Sequence, residues 1–199
     1  MPYRDEYFQT LKDTAAAAST FPDWREYALF CSELERGLRQ QAFAALRHFI
    51  TSIEGAAFGE RRRFVSCLLS RSENQKGRHL PIPQSLQTRV IEPTLLEWVV
   101  VEPECSEPHR WIGGQEHLEK AIELDPLDYL ARRKLILWLL GHVDYASHEL
   151  PFGFIGSVSE GLTDLKRAEE LADHDILDIA RSRAAEQEVL DLLDKPLTR

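Results

Sequence analysis

Five residues in the C-terminal half carry side chains that could do chemistry together: His142, Asp144, Tyr145, His148 and Glu149. On a helix, Asp144 and His148 stand four apart and share a face, a spacing that can clamp a metal or a polar ligand. The same spacing serves a carboxylate–imidazole hydrogen bond that fixes a helix end against a loop. A zincin-type zinc site is excluded, because Leu150 and Pro151 follow His148 and Glu149 and no second His stands at the required spacing. These five are the candidate binding residues, with no catalytic residue, metal or cofactor expected.

Other catalytic patterns are missing. No Gly-Lys-Ser or Gly-Lys-Thr occurs, so no phosphate-cradling loop is present. Gly156 to Gly161 comes close to a nucleophile elbow, but Ser157 stands where a glycine is required. Ser157 with Glu160 reads instead as a capping box that starts a helix. Cys31, Cys67 and Cys105 are an odd, widely spaced set with no C-x-x-C, which fits reduced thiols rather than a disulfide framework or zinc ribbon.

The elements that must position these residues are helices. Helical periodicity runs through most of the chain, and Trp98–Val101 is the single β-rich stretch, too short to define a sheet. Pro22 and Asp23 open a helical region carrying Tyr27, Phe30, Cys31 and Leu34, then Leu38 to Ile53. Gly55 and Gly59 mark a turn before a helix with Phe64, Cys67 and Leu68. Pro93 falls inside the pattern of Leu86, Val90 and Ile91 and is expected to kink or end that helix. Glu102 to Pro108 is expected to be an irregular linker between residues 1–101, an N-terminal helical region, and residues 109–199, packed together as one unit.

Two stretches in the second region share a spacing. Gly114, Leu118, Ala121 and Leu124 recur as Gly161, Leu165, Ala168 and Leu171, 47 residues later. Small residues at the first and third positions would let a neighbouring helix approach closely. With Pro126 following, Gly114, Leu118 and Ala121 resemble the second helix of a tetratricopeptide repeat, over about residues 110–175. The repeat length of that family is ~34 residues, so the gap here is ~13 longer, and Asp173 replaces the second proline. The resemblance implies an all-α fold of stacked helical hairpins, TPR-like in the C-terminal half. Asp144 to Pro151 is also similar to a segment of bacterial proteins with no assigned activity. The extra length, His142 to Gly156, is expected to form the binding face.

Composition bounds the function. With 199 residues, 43% hydrophobic and 29% charged, the chain can fill a core and is not disordered as a whole. A net charge of −9 argues against duplex DNA or an anionic membrane as the main partner. Arg61 to Leu80 is locally basic, with six basic residues and one acidic, and reads as a solvated helix face with a basic loop, phosphate or RNA contact being the alternative. The N-terminal residues lack an apolar h-region and no apolar run reaches the ~20 residues of a membrane span, so a cytoplasmic location is expected. The reading that follows is a non-enzymatic helical interaction domain for a peptide or protein partner, with no nucleic acid and no membrane. Two alternatives stand beside it: an acidic immunity or inhibitor protein masking a basic effector, and an enzyme or metal-binding protein using Asp144 and His148.

Overall fold

The computed structural model describes residues 2–74, 82–148 and 155–172. The described residues are about 84% helical and include no strand, which makes the fold all-α. Contacts gather into two units, Met1–Val101 and Glu102–Arg199.

The first unit begins with α1 (Pro2–Ala18), a 3-10 turn (Pro22–Trp24), α2 (Arg25–Glu35), α3 (Arg39–Glu54) and α4 (Phe58–Asn74). Gly37, at φ +80°, ends α2: its N–H bonds the Leu34 carbonyl while the Leu38 N–H reaches Glu33. Satisfying both carbonyls needs a left-handed residue, hence glycine at this position. The periodic stripes converge on an aromatic centre, where the rings of Tyr27, Phe49 and Phe64 lie 4.7 to 5.3 Å apart. Each such pair adds about 0.5–1.5 kcal/mol beyond its buried area.

Pro93 does not break its helix. The chain runs through α5 (Gln84–Leu86), a π-helical segment (Gln87–Ile91) and α6 (Glu92–Val101). A proline ring clashes with the carbonyl four residues back, here Arg89, and the wider π turn makes room for it. Three arginines of the basic run are pinned rather than free. Arg61 pairs with Glu97 at 2.7 Å, Arg62 lies 4.7 Å from the Trp98 ring, and Arg63 lies over Phe21. Lys76, Arg78 and His79 fall outside the described residues.

The second unit contains α7 (Ser106–Ile112), α8 (Gly114–Leu124), α9 (Tyr129–Ser147) and α10 (158–172). The expected linker is therefore partly helical: Pro108 sits in the first turn of α7, where a missing N–H costs nothing. Leu118 and Ala121 of α8, Ala131, Leu135 and Leu139 of α9, and Ala168 and Leu171 of α10 form one buried core. Full burial of a leucine here is worth about 1.5–3 kcal/mol. Arg167 of α10 grips Glu119 of α8 through two nitrogens, at 3.1 and 2.7 Å.

The shared spacing is only partly translated into packing. Ala121, Gly161 and Ala168 are buried, but Gly114 is exposed and Leu165 is 40% exposed. Gly114 has φ +73° and nothing within 4 Å of the place a Cβ would occupy. It serves as a pivot after Gly113, not as a point of close helix approach. On α10 the inward position beside Leu165 belongs to Asp164.

Candidate functional site

Asp128 sets the register of α9. Its buried carboxylate accepts from the Ala131 N–H at 3.0 Å, capping the helix, and from Arg110 at 2.8 Å. With the helix so fixed, Leu135, Leu139 and Ala146 face inward and Leu137, Trp138, Leu140 and Tyr145 are exposed. Ser157 starts α10, its hydroxyl accepting from the Glu160 N–H at 3.4 Å. That phase turns Gly161, Asp164, Ala168 and Leu171 toward the core.

The two registers meet at one polar contact. His142 Nδ1 lies 2.6 Å from Asp164 Oδ2. A carboxylate only accepts, so Nδ1–H of His142 donates to Asp164. The Trp138 ring stacks on the imidazole, 5.7 Å between centroids and 23° between planes. His142 and Asp164 line an open cleft of 440 Å³ together with Gln115, Ser159, Glu160 and Thr163.

The structure distributes the five candidate residues unevenly. His142 enters the cleft. Asp144, Tyr145 and His148 are exposed, and no bond joins Asp144 to His148. Glu149 lies outside the described residues. The carboxylate that His142 uses comes from α10, 22 residues away, rather than from its own helix turn. One sequence signal marks Asp164: it stands among Gly161, Ala168 and Leu171 at helical spacing, an acid on an otherwise apolar face. Trp138 is 39% exposed beside this cleft.

A second polar contact was not legible as a site. His109 and His117 bring their Nδ1 atoms within 2.9 Å, with His109 buried. Burial, then the neighbouring His117 and Lys120, lower the His109 pKa from its usual value.

The cleft lacks a built nucleophile. The Ser159 hydroxyl is engaged by Ser157 at 2.7 Å, and His142 has Asp164 as its hydrogen-bond partner among the described residues. No three carboxylate, imidazole or thiol groups come together among the described residues as a metal site would need. No described helix is long and apolar enough to cross a membrane. No protein-family model, no curated protein and no solved structure matches the chain.

Proposed function

We propose that the second unit is a protein-interaction module of the tetratricopeptide kind, which takes a peptide or partner helix across the outer face of α9. The observation that carries this reading is the surface around Gly141. Gly141 is exposed and has nothing within 4 Å of its missing Cβ. Leu137, Trp138 and Tyr145 stand four and three residues before it and four after, so they ring it on the helix surface. Leu137 is 62% and Tyr145 67% exposed. A dent rimmed by large apolar side chains suits one anchoring side chain of a partner, as knobs fit holes between helices.

The His142–Asp164 cleft borders Trp138 and supplies polar groups at the rim, which would fix the partner's register. The enzyme reading has that pair behind it but, among the described residues, no hydroxyl or thiol bonded to the ring. The immunity reading draws on size, acid excess and the lack of catalytic motifs, yet Glu97, Glu119 and Asp128 are each held by an arginine of the same chain.

Gly141→Glu tests the reading, because filling the dent should block binding while a better helix former steadies α9 by several tenths of a kcal/mol. Peptides selected from a displayed library on the wild-type chain should bind the variant at least about tenfold more weakly, with its melting temperature unchanged or raised. Equal binding to both proteins would place the interaction elsewhere.

A further inference from the structure

The first unit carries a different kind of site. Between α1, α2 and α3 lies an open groove of 410 Å³, within the range of small-molecule sites. Phe30, Leu34, Phe43 and Ile82 supply apolar walls, and Tyr7 and Arg39 supply the polar groups. Neither the Tyr7 hydroxyl nor the Arg39 guanidinium has a hydrogen-bond or ion-pair partner among the described residues. Both side chains line this one groove.

Acidic residues outnumber Lys plus Arg by 33 to 24, and Arg36, Arg61, Arg89, Arg110 and Arg167 each hold a carboxylate. An arginine left without one, beside an aromatic groove and a phenol that can donate, is a receptor for a carboxylate from outside. Among the described residues the remaining walls offer no side-chain donor or acceptor, so a peptide backbone laid in the groove would lose its hydrogen bonds with water unreplaced. A ligand with one anionic head and a plain hydrocarbon body has no such cost.

We infer that the groove of Tyr7, Phe30, Leu34, Arg39, Phe43 and Ile82 binds a medium-chain fatty acid, with its carboxylate on Arg39 and Tyr7 and its chain along the apolar walls.

Titration calorimetry with decanoate, decanol and decyltrimethylammonium tests the assignment on the full chain. Decanoate should bind saturably, and Arg39→Gln should weaken it by about 10- to 100-fold, the usual range for losing a charge-assisted bond. Tyr7→Phe should weaken it less, about 2- to 10-fold. Decanol should bind the wild type more weakly than decanoate and be indifferent to Arg39→Gln; the cation should bind least. Arg39 is exposed, so its variant is expected to fold, and circular dichroism checks this. Three results would each overturn the assignment: no saturable decanoate binding at millimolar concentration, decanol matching decanoate, or Arg39→Gln binding as the wild type does.

Discussion

His109 shows how a single side chain ties this fold to pH. Burial, helped by His117 and Lys120, keeps its folded pKa below the ordinary imidazole value. The unfolded chain therefore takes up a proton near pH ~6.5, before the folded chain does. The stability contributed by neutral His109 is complete above that pH and is lost as pH falls through the lowered folded value. Melting temperature should drop as pH falls below about 6.5, with a shallower slope in His109→Gln. Identical slopes would remove His109 from the account. Cys31 makes a second residue-scale case, its thiol buried and pushed up to about 12. At pH ~8 iodoacetamide should label Cys67 and Cys105, which are half-buried, and spare Cys31 in the native chain. Native-state labelling of Cys31 at the rate of the other two would contradict its burial. At this scale the sequence was a partial guide. His142 stood out by residue type, but its partner Asp164 could be found only through the phase of α10, since pairing across 22 residues leaves no local spacing to read.

At the scale of elements, the cap at Asp128 matters because it holds α9 and a buried charge at once. Asp128→Ala removes both the Ala131 bond and the Arg110 partner, and should cost about 3–5 kcal/mol. Asp128→Asn keeps an acceptor for the cap and should cost visibly less by denaturant unfolding. If the two variants unfold alike, the cap is not what Asp128 contributes. Ala121, fully buried between α8 and its neighbours, gives the packing counterpart. Ala121→Asp should destabilise by about 3–5 kcal/mol through an unpaired buried charge; an unchanged melting temperature would contradict the core described for the second unit. The helices were legible because apolar residues recur at three and four. Two of their limits were not. Pro93 reads as a breaker by local rules, and its accommodation depends on a π turn whose benefit, keeping Leu86, Val90, Leu95 and Trp98 buried, is tertiary. Gly114 reads as a packing glycine by spacing, although its use is conformational.

For the whole molecule, composition excluded more than it identified. An acid excess with net charge −9 argues against phosphate as the main target, and Arg61, Arg62 and Arg63 of the basic stretch hold Glu97, Trp98 and Phe21. What the second unit offers instead is exposed apolar surface on α9, continuous with a polar cleft. A surface of that kind is expected to be covered for part of its working life. Photo-crosslinking inside living host cells probes this most directly, with a photoreactive amino acid placed in turn at Leu137, at Tyr145 and, as a control, at Glu123 on the exposed side of α8. Adducts of one defined mass at Leu137 and Tyr145, and none at Glu123, are expected. Adducts equally frequent at all three positions, or absent from Leu137 and Tyr145, would contradict a binding face on α9.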